Sequence, residues 1–143
     1  MTRVLVIDDE APIRMLCRVN LEAEGMEVLE AADGRLGIEV ARKERPDAVL
    51  LDVMMPGLDG WHVARRLLAD EATSALPIVF LTARADVRDR LRADDVGGFE
   101  YVTKPFNPVE LAGVVKRSVE LGVTEEARER RLGELDALVG LDG

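Results

Sequence analysis

Five short apolar runs, separated by stretches with helical spacing, restrict the fold of this chain more than any other feature. The runs cover residues 3–7, 27–30, 48–51, 78–81 and 99–102. Several are continuous and rich in β-branched residues, which is typical of strands in a parallel sheet covered on both faces. Strand and helix patterns alternate five times. We therefore predict an α/β fold with a doubly wound, five-stranded parallel sheet and helices on both faces.

The predicted helices lie between and after these runs. The first carries an apolar stripe with i, i+3, i+4, i+8 spacing, formed by Ile13, Leu16, Cys17 and Leu21. The others are predicted at about 35–42, 60–70, 86–95 and 108–121. In doubly wound sheets, ligands bind beyond the carboxyl ends of the strands, where the strand order reverses.

Polar residues follow four of the five predicted strands. Asp8 and Asp9 follow the first run, Asp52 the third and Thr82 the fourth, and Lys104 lies just after the fifth. Since the carboxyl ends of parallel strands share one edge of the sheet, we expect these side chains to converge. Three carboxylates in one cleft repel each other and need a compensating positive charge. Oxygen ligands with room for water favour Mg²⁺.

This set of residues suits phosphoryl transfer. Mg²⁺ would neutralise charge on an incoming phosphoryl group and hold it against a carboxylate nucleophile. A threonine hydroxyl and a lysine ammonium are suitable partners for phosphoryl oxygens. Taken singly, each residue has an ordinary explanation as a helix cap, a turn residue or an exposed lysine. Their occurrence together at strand ends favours a functional site.

Length and charge limit the classes of protein. The chain has 143 residues, enough for one domain and a short extension, and its net charge of −9 disfavours direct binding to nucleic acid or an anionic membrane. A single cysteine excludes an internal disulfide. No stretch approaches the ~20 apolar residues that span a bilayer, and the N-terminal apolar run is too short for a signal peptide. We expect a cytoplasmic protein.

The ordered motifs resemble those of the receiver domains of bacterial two-component response regulators. They are VLVIDDE at 4–10, ADG at 32–34, LLDVMMPGLDG at 50–60, LTA at 81–83 and YVTKPF at 101–106. The resemblance covers residues 3–121. We therefore predict a receiver domain at 1–121 and a C-terminal extension, a short helix or linker stub, at 122–143. The resemblance also implies a flavodoxin-like sheet with strand order 2-1-3-4-5.

The resemblance assigns roles to individual residues. It implies that Asp52 is the phosphoacceptor. It implies that Mg²⁺ is held by three carboxylates and one backbone carbonyl, those of Asp8, Asp9, Asp52 and Met54.

Further roles follow for the ends of the last two strands. The resemblance implies that Thr82 and Lys104 contact the phosphoryl group, and that Thr82 and Tyr101 form a coupled switch pair. Thr82 would be drawn towards the phosphoryl group, and Tyr101 would fill the vacated space. The Lys104–Pro105 peptide bond would be cis, which helps to direct Lys104 into the site.

The implied function is a signalling switch. A sensor histidine kinase or phosphotransfer protein would supply the phosphoryl group, and the domain itself would show only weak self-catalysed phosphoryl transfer and autodephosphorylation. Phosphorylation would change the face made by the predicted helix at 86–95, the fifth strand and the last helix. A downstream output protein, or an effector domain that is absent from this sequence, would respond. Homodimerisation is left open.

Three alternatives compete with this interpretation. A Mg²⁺-dependent phosphatase with an aspartyl nucleophile would carry a second acid two residues after that nucleophile. Glu10 occupies this position after Asp8. Such enzymes also have a domain that covers the substrate, and no such cap domain is present. A dinucleotide-binding protein needs glycines in the first strand–helix turn, which reads DDEAP at 8–12. A receiver that has lost phosphorylation would lack acceptor residues, which are intact here.

One departure from the family is GGFEY at 97–101, where Gly-Ala-Asp-Asp usually precedes the switch aromatic.

The C-terminal extension has a composition of its own, rich in Glu, Arg and Leu. Thr124 is placed to cap a short helix, and Glu126 and Arg130 have i, i+4 spacing. Leu132, Leu135 and Val139 give a thin apolar stripe. We favour local packing or a linker stub over a docking or pairing helix.

Overall fold

The computed structural model of the chain describes residues 1–83, 99–124, 126, 129–131 and 133. The helix predicted at 86–95, the glycine pair at 97–98 and the apolar stripe of Leu132, Leu135 and Val139 lie outside the described residues.

The sheet has the predicted topology. Its strands are β1 Arg3–Ile7, β2 Glu27–Ala31, β3 Ala48–Asp52, β4 Ile78–Thr82 and β5 Phe99–Thr103. All neighbours are parallel and the order is β2-β1-β3-β4-β5, which confirms the flavodoxin-like arrangement. Ile7 pairs with both Ala31 and Leu51, and Asp52 pairs with Leu81. The chain reverses its direction of winding between β1 and β3, so the carboxyl ends of these two strands form the expected crevice.

Four helices surround the sheet within the described ranges: α1 Ala11–Ala23, α2 Gly34–Glu44, α3 Gly60–Ala69 and α4 Pro108–Leu121. Side-chain oxygens cap three of them. Asp33 accepts from the Leu36 amide, Asp59 from the His62 amide and Asn107 from the Val109 amide. Such caps satisfy amides that have no partner in the first turn of a helix, and they set where each helix begins.

The core has two parts, one on each face of the sheet. Alternate residues of β1 separate the two, because successive strand side chains point to opposite faces. Leu5 and Ile7 pack in the part that includes α2 and α3 residues, and Val4 and Val6 in the part that includes α1 and α4 residues. All four are fully buried. Each burial contributes about 1.5–3 kcal/mol, so this central strand is held firmly and fixes the position of the residue that follows it.

The C-terminal extension contacts the domain. The backbone is helical at residues 126, 129–131 and 133. The Arg131 side chain is fully buried, and its Nη2 donates to the Leu76 carbonyl over 2.8 Å. Leu76 precedes β4, at the opposite end of that strand from Thr82. No helix within the described ranges is long and apolar enough to cross a membrane.

Candidate functional site

Four carboxylates meet at the carboxyl edge of β1 and β3. Asp8 follows β1 and is fully buried, and Asp52 ends β3 and is 2 % exposed. Asp9 and Glu10 are exposed at the rim. Each of the four offers an oxygen within 4.8 Å of the others. The structure therefore brings together the three predicted acids and adds Glu10, which was not among the predicted metal ligands.

Lys104 supplies the positive charge of this cleft. Its Nζ lies 2.9 Å from Asp8 Oδ2, 3.3 Å from Asp52 Oδ1 and 3.9 Å from Glu10 Oε1. Its amide donates to the Thr82 carbonyl over 2.8 Å, and the Lys104–Pro105 bond is cis, as expected. The backbone just beyond β5 is thus tied to β4, and the lysine side chain reaches across the sheet edge to the acids.

The hydrogen bonds of the two buried carboxylates leave one oxygen open. Asp8 Oδ1 accepts from the Glu10 amide over 2.9 Å, and Asp52 Oδ1 accepts from the Met54 amide over 3.2 Å. Asp52 Oδ2 is buried and has no hydrogen-bond donor among the residues that the structure describes. A buried carboxylate oxygen without a donor is costly. This oxygen is therefore the group in the cleft best placed to accept a cation or a new covalent bond.

The electrostatics of the cleft follow from this crowding. Burial, and next the charge of Asp8, raise the pKa of Asp52 from 3.8 to about 6, although Lys104 opposes the rise. For Lys104, burial disfavours the charge, but the hydrogen bond to Asp8 and the nearby Asp52 outweigh it and raise the pKa of the ammonium. The lysine is therefore firmly protonated, while Asp52 is an ionised and poorly compensated carboxylate near neutral pH.

The loop after β3 allows no side chain at one point. A Cβ on Gly60 would collide with the Asp52 carbonyl oxygen and would lie 2.8 Å from Val53 Cα. The Gly60 amide donates to the Val53 carbonyl over 3.0 Å. Gly57, in the same loop, has a φ of +74°, which favours glycine. The start of α3 can therefore lie directly against the backbone of Asp52 and hold it in place.

The two predicted switch residues lie on adjacent strands. Thr82 is the last residue of β4, next to the Asp52–Leu81 pair, and is 1 % exposed. Tyr101 pairs with Phe80, is 5 % exposed and stacks on the Phe80 ring with centroids 5.4 Å apart. The Tyr101 ring is thus already buried, and Phe80 is its apolar stacking partner. Any inward movement of Tyr101, as the resemblance implies, would start from this buried position.

The donor set fits Mg²⁺. The predicted ligands are all oxygens, two of the carboxylates are buried, and Asp52 Oδ2 lacks a donor within the described part of the chain. A hard cation with carboxylate ligands and several retained waters suits such a site better than a softer metal would. Asp8, Asp9 and Asp52 are the residues that would hold it, and Glu10 lies close enough to contribute an oxygen.

Comparison with known proteins gives the family. The response regulator receiver domain family matches residues 4–116. The phosphate regulon transcriptional regulatory protein PhoB of Pseudomonas aeruginosa is 43 % identical over 113 residues, which are 79 % of this chain and 49 % of that protein. The transcriptional activator protein IrlR of Burkholderia pseudomallei is 38 % identical over 134 residues, 94 % of this chain and 57 % of its own length. The chain spans about half the length of the curated relatives it matches.

Solved structures agree. The chemotaxis protein CheY4 of Vibrio cholerae superposes with a TM-score of 0.74 at 32 % identity, covering 82 % of this chain and 98 % of that one. The receiver domain of the sensor histidine kinase PA1611 of Pseudomonas aeruginosa, solved with a magnesium ion coordinated in its active site cleft, gives 0.74 at 31 % identity, covering 83 % and 98 %. This chain belongs to the response regulator receiver domain family, whose members are phosphorylation-dependent switches of two-component signalling.

Proposed function

We propose that Asp52 accepts the phosphoryl group in this chain, and that Mg²⁺ is held by Asp8, Asp9, Asp52 and the backbone carbonyl of Met54. The observation that carries the proposal is the buried Asp52 Oδ2, which has no hydrogen-bond donor in the described part of the chain and lies in a carboxylate cluster beside Lys104. A nucleophilic oxygen must be free to form a new bond, and within the described residues no donor occupies Asp52 Oδ2.

The proposed reaction transfers a phosphoryl group from a donor to the Asp52 carboxylate. An Asp52 oxygen attacks the phosphorus, and the bond from phosphorus to the donor breaks, so the donor leaves with its electron pair. Lys104 Nζ stabilises negative charge on the phosphoryl oxygens, and Thr82 donates its hydroxyl proton in a hydrogen bond to one of them. When bound, Mg²⁺ supplies further charge neutralisation for these oxygens. Attack by water on the acyl phosphate reverses the modification, and we propose that this and self-phosphorylation are slow.

The switch follows from a new contact. In the phosphorylated state Thr82 and Lys104 gain a partner that they lack in the free state, so the phosphoryl group favours whichever arrangement permits those contacts. Tyr101 lies on the next strand and packs on Phe80, the residue two before Thr82. We propose that a shift of Thr82 is transmitted through this packing to the face that includes β5 and α4.

The partners are also part of the proposal. Residues 1–121 form the receiver and residues 122–143 an extension. The phosphoryl donor is a sensor histidine kinase or phosphotransfer protein, and the responder is an output protein or an effector domain outside this sequence. The receiver itself contacts neither nucleic acid nor membrane, and a homodimer is one form the output could take. We also propose a cytoplasmic location, which is typical of the family.

Intact-mass spectrometry after incubation with acetyl phosphate and Mg²⁺ tests the acceptor. The parent protein should gain one base-labile phosphoryl group, and Asp52→Asn should gain none. Asp9→Asn, which keeps the proposed nucleophile, is the matched control and should retain slower labelling. If Asp52→Asn is still labelled and Asp9→Asn is not, the proposed assignment of Asp52 as the acceptor is wrong.

Beryllofluoride, a phosphoryl mimic, tests the switch. NMR shift changes around Tyr101 and Leu111 should appear in the parent protein and be lost in Lys104→Ala and Thr82→Ala. If both variants respond like the parent, the proposed coupling from the phosphoryl group to Tyr101 is wrong.

A further inference from the structure

We propose that Arg14 is a positioning residue that fixes the Asp8–Asp9 peptide and thereby sets the affinity of the site for Mg²⁺. The inference rests on the proposed function, because it concerns the carboxylates to which the metal is assigned there. Arg14 lies on α1, one turn after the acidic turn, and was not singled out in the sequence. Its Nη1 donates to the Asp8 backbone carbonyl over 2.8 Å.

The Asp8 carbonyl needs such a partner because the sheet no longer provides one. The paired register of β1 with both neighbours ends at Ile7, and the Asp8 amide makes one further bond to the Ala31 carbonyl over 3.2 Å. The chain then turns into α1. An unpaired carbonyl on a fully buried residue such as Asp8 would be costly, and a charged donor satisfies it more strongly than a neutral one.

The guanidinium is itself held by a second contact. Arg14 Nε donates to Glu30 Oε1 over 3.1 Å, and the Arg14 side chain is only 17 % exposed. Glu30 lies on β2. One planar guanidinium therefore links the Glu30 carboxylate to the Asp8 carbonyl, which follows the neighbouring strand β1. Two bonds from a rigid fork fix its orientation in a way that a lysine ammonium cannot reproduce.

The consequence for the metal site lies in the geometry of the peptide. The peptide unit is planar, so fixing the direction of the Asp8 carbonyl also fixes the Asp9 nitrogen and Cα. The Asp8 carboxylate is held by the Glu10 amide and by Lys104. Asp9 is exposed, and the position of its carboxylate depends on the backbone. Outer partners that orient ligands typically change metal affinity by 10- to 100-fold when they are lost.

Arg18 gives a matched control on the same helix. Its Nε donates to Glu30 Oε2 over 2.7 Å, and its other nitrogens reach Glu22 and the Val28 carbonyl. It therefore has the same charge as Arg14 and shares the same glutamate, but none of these three bonds is to Asp8. Loss of Arg18 removes a positive charge from the same helix and from the same glutamate, without removing the contact to the Asp8 carbonyl.

The first test is calorimetric titration of the parent protein and variants with Mg²⁺ alone. Arg14→Met should raise the Mg²⁺ Kd by about tenfold, and Arg18→Met should leave it within about twofold. Arg14→Lys keeps the charge but loses the fork, and should bind as weakly as Arg14→Met. Parent-like affinity in Arg14→Met, or full rescue by Arg14→Lys, would overturn the positioning role. A parent protein that binds no Mg²⁺ would instead overturn the proposed function.

The second test is independent of the metal. In metal-free protein, amide hydrogen exchange of Glu10 reports the bond to Asp8 Oδ1, and it should be faster in Arg14→Met than in Arg18→Met. Urea unfolding of both variants establishes that they are folded. Equal exchange of the Glu10 amide in the two variants would show that Arg14 does not hold this turn, whatever the parent protein does with Mg²⁺.

Discussion

The carboxylate of Asp8 and the ammonium of Lys104, 96 residues apart in the chain, are joined by a hydrogen bond of 2.9 Å at the carboxyl edge of the sheet. Asp8 is fully buried and the Lys104 side chain is 14 % exposed. The same ammonium lies 3.3 Å from Asp52. One cation therefore serves two buried acids, and this imbalance of charge leads to the first two predictions.

The stability of the metal-free protein should depend on the ionisation of Asp52. Its pKa in the folded protein, about 6, lies above the usual 3.8, so the folded state binds more protons than the unfolded state between these values. Unfolding free energy is therefore lost as pH rises through this window. Asp52→Asn has no carboxyl group to titrate at this position, so its free energy of unfolding should not fall in this way. The difference in unfolding free energy between Asp52→Asn and the parent should be about 2–3 kcal/mol larger at pH 7 than at pH 4. Urea unfolding with EDTA measures the difference, and a pH-independent gap would contradict it.

Loss of Lys104 should be partly compensated by metal. Lys104→Met leaves two buried carboxylates without their cation, and should lower the unfolding free energy in EDTA by about 3 kcal/mol. Mg²⁺ should then stabilise this variant more than the parent. Lys116→Met is the control, because its pair with Glu24 is about half exposed and is expected to contribute less than about 1 kcal/mol. Equal stabilisation of parent and Lys104→Met by Mg²⁺ would show that the lysine and the metal do not neutralise the same charges.

Gly60 should tolerate no side chain. In Gly60→Ala the new methyl group meets backbone atoms of Asp52 and Val53, so the variant should lose about 1–3 kcal/mol of unfolding free energy and be phosphorylated more slowly. Gly113→Ala is the control, since nothing lies within 4 Å of its Cβ position on α4. That change should stabilise by about 0.5–1 kcal/mol. Normal labelling in a folded Gly60→Ala would show that the Asp52 backbone tolerates displacement.

The C-terminal extension should contribute to stability through Arg131. Arg131→Ala removes a fully buried side chain and its bond to the Leu76 carbonyl, and should lower the unfolding free energy by about 1–3 kcal/mol. Arg130→Ala, at the exposed neighbouring position, should change it by less than about 0.5 kcal/mol. Equal values for the two variants in urea unfolding would mean that the extension does not dock in solution.

Much of the fold was predictable because buried parallel strands are recognisable locally. The order of the strands and the convergence of Asp8, Asp52 and Lys104 follow from strand ends meeting at one edge. Strand ends were less certain: β3 includes Asp52 itself, one residue beyond the apolar run, because backbone pairing continues where polarity changes. On α1, Leu16 belongs to the predicted stripe yet is 44 % exposed, because the sheet and α4 cover a narrower strip than the apolar spacing suggested.

Other features of the site depend on tertiary contacts that no local pattern reports. Arg14 and Glu30 are 16 residues apart, and neither shows a signal for a role at the Asp8 carbonyl. Arg131 lies in a charged stretch that is typical of a solvated helix, although it is fully buried. The raised pKa of Asp52 depends on its burial and on the nearby charge of Asp8, and Lys104 opposes the rise. Glu10 differs from these residues, because its position directly after two acids is a sequence signal for its place in the carboxylate cluster.

The measurement that tests the central claim most directly is chemical trapping of the acyl phosphate. Protein treated with acetyl phosphate and Mg²⁺ is reduced with borohydride, which converts a phosphorylated aspartate to homoserine, and is then digested and sequenced by mass spectrometry. The proposed function predicts homoserine at position 52, in an amount that falls sharply when EDTA replaces Mg²⁺. Homoserine at position 8 or 9, or none in a protein that binds Mg²⁺, would contradict the assignment of Asp52 as the acceptor.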